Sequence, residues 1–319
     1  MRTVLLAIIS LAATPAAGDF SLAFPLDCTL GKSCFIQNFV DQDPSSAARD
    51  FSCGSLTYDA HSGTDFALPD LAAQARGVNI LAAADGTVLG ARDGMADILQ
   101  TAPDAPDIYD RDCGNGLVIA HEDGFETQYC HMTEGSLAVK TGQFVQVGDV
   151  LGAVGLSGNT DFPHLHITLR KDGRVVDPFD TNGTATCPDL DQPTLWQTPL
   201  PTPAGGIINI GVAEAIPSLD AVIEGTANTG AIANGAAIVG WVQLFGTRDG
   251  DILSIDIISP DGPFFSQSET FKRPQARSIR AGGRKTPPQG WPKGDYFFNF
   301  ILTRGETIID TASQTYALD

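Results

Sequence analysis

The chain has 319 residues, a length that suits two domains, and carries 19 basic against 38 acidic side chains for a formal net charge of −19. Such a surface repels nucleic acid and anionic membranes, so neither is an expected partner. Six cysteines, an even number, suit disulfides in an exported protein.

In chain order, residues 1–18 read as a secretory signal peptide. Arg2 supplies the positive start, Val4–Ala13 a short apolar run, and Ala16-Ala17-Gly18 the small residues of a cleavage site. The run is shorter than the ~20 residues that span a bilayer, so no membrane anchor is expected. The first cysteine is Cys28, too far downstream to carry a lipid anchor.

Residues 19–53 carry cysteines but no sustained period and read as irregular. Residues 54–178 are rich in glycine and short apolar runs: Val78–Ala84, Leu117–Ala120 and Val150–Val154. These predict short strands between turns. Cys113 and Cys130 flank a hairpin that turns at Asp123-Gly124, which makes them the favoured disulfide pair. No Cys-x-x-Cys occurs, so a thiolate metal site is not expected. Gly94–Arg111 is polar and proline-bearing and reads as an inserted loop.

Residues 189–206 carry four prolines and end in Gly205-Gly206, the composition of a linker. Beyond it, Ile207–Val212, Ala237–Phe245, Ile252–Ile258, Tyr296–Leu302 and Thr307–Ile309 alternate between turn pairs. Residues 207–319 are therefore expected to form an Ig-like β-sandwich. They contain no histidine or cysteine, and no ligand for them is legible. Their aromatics (Trp241, Phe264, Phe265, Trp291, Tyr296, Phe297 and Phe298) are expected in the core rather than in a surface patch.

The chemistry sits in two short clusters. Only five histidines occur, and three of them fall in His61-Ser62-Gly63-Thr64-Asp65 and His164-Leu165-His166. In a strand, residues two apart share a face, so His164 and His166 point into one site. Two buried imidazoles on one face need partners. His61 and Asp65 supply them: zinc takes histidine nitrogen and carboxylate oxygen, with three protein ligands and one open position. Gly63 lets the chain bend between the two. Spacing leaves open which member of His-x-His binds metal. His131, at the end of the strand Phe125–Cys130, is a candidate acid–base group, whereas His121 is explained by a hairpin end.

Taken together, several stretches resemble the lysostaphin-like (LytM-type) zinc metalloendopeptidases that act on peptidoglycan. In order they are His61–Ala67 (HSGTDFA), Ala82–Val88 (AAADGTV), Gly114–His121 (GNGLVIAH) and Thr127–Met132 (TQYCHM), then Gly142–Gly155, Gly158-Asn159-Thr160, Pro163–His166 (PHLH) and Gly173–Pro178. The resemblance covers residues 54–178. It implies a mainly β fold, with an antiparallel peptidase domain over residues 19–188 ahead of the Ig-like sandwich. It implies one zinc ion per chain held by His61, Asp65 and His166. His131 and His164 then become the catalytic histidines, and peptidoglycan peptide stems the substrate. With the export signal, the periplasm is the expected location. The alternative is a non-hydrolytic cell-wall factor, such as an amidase activator, that keeps the metal site behind a blocked groove. Three stretches depart from the family pattern and are expected to shape the groove: Asp70–Asn79, Gly94–Arg111 and Asp161-Phe162.

Overall fold

The computed structural model describes residues 20–181, 194–228, 230, 232 and 236–318. The predicted signal peptide and Cys187 lie outside the described residues. In chain order the first part holds β1 (Phe35–Asn38), β2 (Thr64–Ala67), α1 (Leu71–Ala75), β3 (Asn79–Leu81), β4 (Gly86–Arg92), β5 (Asn115–Ala120), β6 (Phe125–Met132), β7 (Phe144–Val145), β8 (Val150–Ala153), β9 (His164–Lys171) and β10 (Arg174–Val176). One antiparallel sheet runs β1-β2-β9-β6-β5-β4-β7, with β10 paired to β9, while β3 and β8 form a separate ribbon.

The sheet has two unlike faces because its strands alternate. Phe125, Thr127 and Tyr129 of β6 and Leu165, Ile167 and Leu169 of β9 are buried on one face. Ile80, Leu151 and Val154 of the ribbon region belong to the same core cluster. The opposite face of β9 carries His164, His166, Thr168 and Arg170, and β6 presents Gln128 and Cys130 beside them. The expected hairpin is present: a short 3-10 turn at Glu122–Gly124 joins β5 to β6. Cys113 and Cys130 form a disulfide, as expected, with Cα atoms 4.7 Å apart. A second bridge joins Cys28 to Cys34, and Cys53 is disulfide-bonded as well.

The N-terminal stretch is not irregular throughout, contrary to expectation. It contributes β1 to the sheet and places Leu22, Leu26, Phe39 and Phe51 in the core. No period marked these residues because most reach the core from separate loops. The expected linker is also not a free tether where it is described. Trp196 is 4% exposed, and the Leu22 and Gln197 amides donate to Leu195 and Leu22 carbonyls at 2.7 and 2.9 Å. Its ring packs near Phe66 and Phe179, which fixes this segment to the first core.

The second part comprises β11 (Gly206–Ala213), α2 (Leu219–Glu224), β12 (Ile238–Thr247), β13 (Ile252–Ser259), β14 (Gly262–Thr270), β15 (Gln275–Arg284), β16 (Gly294–Arg304) and β17 (Thr307–Leu318). These strands make two sheets, β11-β12-β15 and β14-β13-β16-β17. The first, second and fifth strands of this part thus form one antiparallel sheet, and the fourth, third, sixth and seventh the other. Leu253, Ile255 and Ile257 of β13 and Tyr296, Phe298, Phe300 and Leu302 of β16 fill the core. Trp241 is buried too, whereas Phe297 is 45% exposed. Phe264, Phe265 and Trp291 are half-buried against the core. β14 and β15 had no apolar run to announce them; both are polar and held by neighbouring strands.

β12 is buried along its whole length, which alternation alone does not explain. Val242 and Leu244 face the sandwich core, Trp241 packs with Val222, and Phe245 reaches the core of the first domain. The two domains therefore share a packed boundary. Phe35 and Phe245 rings lie 5.0 Å apart, and Gln37 Nε2 donates to the Ala276 carbonyl at 3.1 Å. The Asp70–Asn79 stretch belongs to this boundary. Asp70 caps α1, its Oδ1 accepting from the Ala73 amide at 2.7 Å, and its Oδ2 accepts from Asn209 Nδ2 at 3.3 Å.

Candidate metal centre

Asp65 on β2 and His166 on β9 are directly opposite in register, and Cys130 on β6 is opposite His166 on the other side. This pairing, rather than spacing, selects His166 over His164 as the partner of Asp65. His166 Nδ1 lies 2.8 Å from Asp65 Oδ1. His61 Nε2 lies 3.2 Å from Asp65 Oδ2 and 3.2 Å from His166 Nδ1. One ligand atom from each of the three residues falls within 4.8 Å of the others. Two atoms each about 2.1 Å from a tetrahedral zinc ion stand about 3.4 Å apart, so this donor set fits zinc in spacing and in chemistry.

Backbone carbonyls orient the rings. His61 Nδ1 is 2.6 Å from the Phe39 carbonyl. A carbonyl only accepts, so the proton is on Nδ1 and Nε2 faces the site with its lone pair. Asn38 Nδ2 donates to Asp65 Oδ2 at 2.9 Å. Neither Asn38 nor Phe39 was foreseen. The short alternating run Phe35–Asn38 was the available signal for Asn38, whereas a carbonyl leaves no trace in sequence.

Gly63 has a different purpose from the bend expected of it. A Cβ there would stand 2.6 Å from both His166 Nε2 and the Ile167 carbonyl. The chain passes too close to β9 for any side chain.

His131 and His164 complete the cluster, their ring centroids 4.6 Å apart. His131 Nδ1 donates to the Ser157 carbonyl at 2.8 Å, and His164 Nδ1 to the Phe162 carbonyl at 2.9 Å. Each ring therefore keeps Nε2 as its basic nitrogen. His164 Nε2 lies 3.6 Å from Asp65 Oδ1. His131 sits within β6 rather than past its end, with φ +63. That left-handed conformation costs a side-chain-bearing residue about 1–2 kcal/mol. Its amide donates to the Cys113 carbonyl and its carbonyl accepts from the Gly155 amide, at 2.9 and 2.8 Å. His121 plays no part here; it bonds the Asp85 carbonyl and Thr127 at the hairpin end, as expected.

Charge is distributed unevenly among these groups. Burial opposes ionisation of Asp65, but His61 and His164 outweigh it and hold the carboxyl well below its usual range. Burial also opposes a charged His61, and Asp65 overcomes it, raising that imidazole. For His131, burial and then His164 and His166 push the imidazole well below its ordinary range. Burial likewise lowers His164. The two non-triad histidines are thus neutral and able to accept a proton.

The cluster opens into a groove of about 560 Å³ on the exposed sheet face. Tyr58, Ser62, Asp110, Asp112 and Asn159 are among the residues that line it. The Gly94–Arg111 insertion supplies part of this lining. It is anchored by Asp97, which accepts from the Leu156 and Glu134 amides at 2.6 and 2.8 Å.

Residues 59–178 match Peptidase family M23. Over 138 residues the chain is 32% identical to the DD-carboxypeptidase/endopeptidase Mpg of Neisseria meningitidis, covering 43% of this chain and 25% of that protein. Over 122 residues it is 33% identical to the peptidoglycan DD-endopeptidase ShyA of Vibrio cholerae, covering 38% and 23%. The chain thus spans about a quarter of the length of these curated relatives. Among solved structures, the catalytic domain of the prophage-encoded M23 protein EnpA from Enterococcus faecalis aligns at 24% identity with a TM-score of 0.34, covering 50% of this chain and 96% of that one. The stretch that carries His61, Asp65, His131, His164 and His166 is accordingly the stretch that matches peptidase family M23.

Proposed function

We propose that the protein is a zinc-dependent endopeptidase that hydrolyses peptide cross-links of bacterial peptidoglycan in the periplasm. The observation that carries this reading is the convergence of the His61–Asp65–His166 triad with two neutral histidines beside an open groove that His61, His131 and His166 help to line. M23 peptidases are zinc metallopeptidases, and relatives of this domain are named for endopeptidase activity on peptidoglycan. The disulfides suit an oxidising compartment outside the cytoplasm. Among the described residues no helix is long and apolar enough to cross a membrane. The open groove favours hydrolysis over the non-hydrolytic alternative.

His61 through Nε2, His166 through Nδ1 and Asp65 through a carboxylate oxygen would hold one zinc ion. Bound there, zinc supplies Lewis acidity toward the scissile carbonyl and acidifies water. Asp65 offsets one unit of the metal's charge. His131 takes the proton of the attacking water on Nε2, its Nδ1 proton anchored on Ser157 so that the ring cannot turn away. His164 takes up a solvent proton on Nε2 as charge develops and with it donates to the oxygen that becomes negative in the tetrahedral species. His131 then gives the water's proton to the leaving amine as the C–N bond breaks, and no serine or cysteine nucleophile is required.

The test is digestion of purified peptidoglycan followed by mass analysis of the fragments. New amino termini are expected, lost on chelation and restored by zinc. His131→Ala is expected to keep stoichiometric zinc and to cut ~10²-fold more slowly. Zinc-loaded protein that releases no new termini would overturn the reading.

A further inference from the structure

Two arginines, Arg92 and Arg170, share the groove with the histidines, and among the described residues no other lysine or arginine lines it. Arg170 is on the same face of β9 as His164 and His166, because residues two apart share a face. It stands four residues beyond His166, about 13 Å along the strand at ~3.3 Å per residue. Arg170 is half-buried and uses one guanidinium nitrogen on Gln128 Oε1 at 2.7 Å. Register places Glu126 opposite Arg170, yet no ion pair joins them among the described residues. Arg92, at the end of β4, is exposed and donates through Nε to the Gly114 carbonyl at 2.7 Å. It too has no carboxylate partner among the described residues.

These guanidiniums are oriented by neutral acceptors and keep N–H donors toward the groove. Arginine's planar fork matches a carboxylate with two parallel hydrogen bonds. Against the chain's net charge of −19, Arg170 stands out as a cation in this groove. Asp110 and Asp112 on the loop wall disfavour a polyanion, so a single carboxylate in a peptide of modest charge fits better.

We infer that Arg170 forms a subsite for a carboxylate carried by an extended peptide, about three to four residues from the bond over the triad. The distance follows from an extended peptide and the strand beneath it rising by the same ~3.3 Å per residue. The inference deepens the hydrolytic reading and rests on it for the position of the cleaved bond. It assigns substrate selection to the strand that also bears His164 and His166.

The test uses full-length zinc-loaded protein and pairs of synthetic peptides that differ only in a carboxylate or its carboxamide, three or four residues to either side of the central amide. Dissociation constants are measured on the His131→Ala protein, within times short against its ~10²-fold slower cleavage, and KM and kcat on the wild type. One carboxylate peptide is expected to bind at least ~10-fold tighter than its carboxamide, the scale of a charge-assisted hydrogen bond. Arg170→Gln should bring that ratio to about 1 and raise KM with kcat and zinc content unchanged. Arg170→Lys, which keeps the charge without the fork, should retain part of it and serves if the Gln variant does not fold. Equal binding of both peptides of every pair overturns the subsite. Tighter carboxylate binding with no cleavage of any peptide sustains the subsite and removes the hydrolytic reading instead.

Discussion

Arg277 on β15 lies over the ring of Phe162, Cζ 4.8 Å from the ring centroid, and that ring stacks on His164 at 4.4 Å. A residue of the second domain is thus one side chain removed from the metal cluster. Arg277 also donates to the Pro69 carbonyl at 3.4 Å, and its burial lowers the guanidinium to about 10 despite the nearby Asp70. Removing a desolvated cation often leaves stability little changed when the replacement packs well. Arg277→Met is therefore expected to shift unfolding by less than about 1 kcal/mol. The freed Phe162 ring should nevertheless lower kcat several-fold with zinc content intact, and Arg277→Lys should recover part of the loss. Parallel denaturation, zinc and kcat measurements separate the two effects; a kcat that does not move would show that the boundary only holds the domains together.

Gly63 sets a second expectation. Because a Cβ there would meet both the His166 ring and the Ile167 carbonyl at 2.6 Å, Gly63→Ala must displace β9 or the ring. Zinc affinity should fall by ~10-fold or more, as for other disturbances of ligand orientation. Metal titration against a competing chelator reads this directly, and unchanged affinity would mean the strand yields without cost.

The Cys113–Cys130 bridge ends one residue before His131, whose φ of +63 must be imposed by its surroundings. The Cys113→Ser/Cys130→Ser protein should lose about 3 kcal/mol of stability, the usual scale for a loop of this size. It should also lose kcat at constant zinc, since the strained histidine is then less firmly placed. Turnover equal to the wild type under conditions where both proteins are folded would assign the bridge to stability alone.

Asp177 gives a pH dependence with a definite sign. Burial raises its carboxyl from 3.8 to about 6, even though Phe179 N and Gln42 Nε2 both donate to it. The folded state therefore holds this proton more tightly than the unfolded state. The contribution is fully present below about pH 4 and is lost as pH rises through about 6, a change of order 2–3 kcal/mol. Asp177→Asn has no such proton, so its stability relative to wild type should grow between pH 4 and 7. Denaturant midpoints across that range check it; a constant difference would place the ionised carboxylate in a well-solvated or paired setting. Depressed carboxylates such as Asp65 act in the opposite direction, which is why the difference between the two proteins is the quantity to follow.

The sequence by itself determined the strands whose side chains alternate, the Cys113–Cys130 pairing across its hairpin, and the presence of His61, Asp65, His164 and His166 in one metal-competent set. These are legible because a period of two encodes which face is buried, and because ligand chemistry belongs to residue type. Only the tertiary structure decided the rest. Strand register set His166 opposite Asp65 and left His164 to the Phe162 carbonyl. The Phe39 and Ser157 carbonyls fixed two imidazoles, although a backbone acceptor is identical at every residue and so has no sequence signature. β14 and β15 are polar strands recruited by their neighbours, and Trp196 in the expected linker found a place in the first core. The contact from Arg277 through Phe162 to His164 joins residues more than a hundred positions apart, and nothing in local composition announces which surfaces will meet once two domains pack.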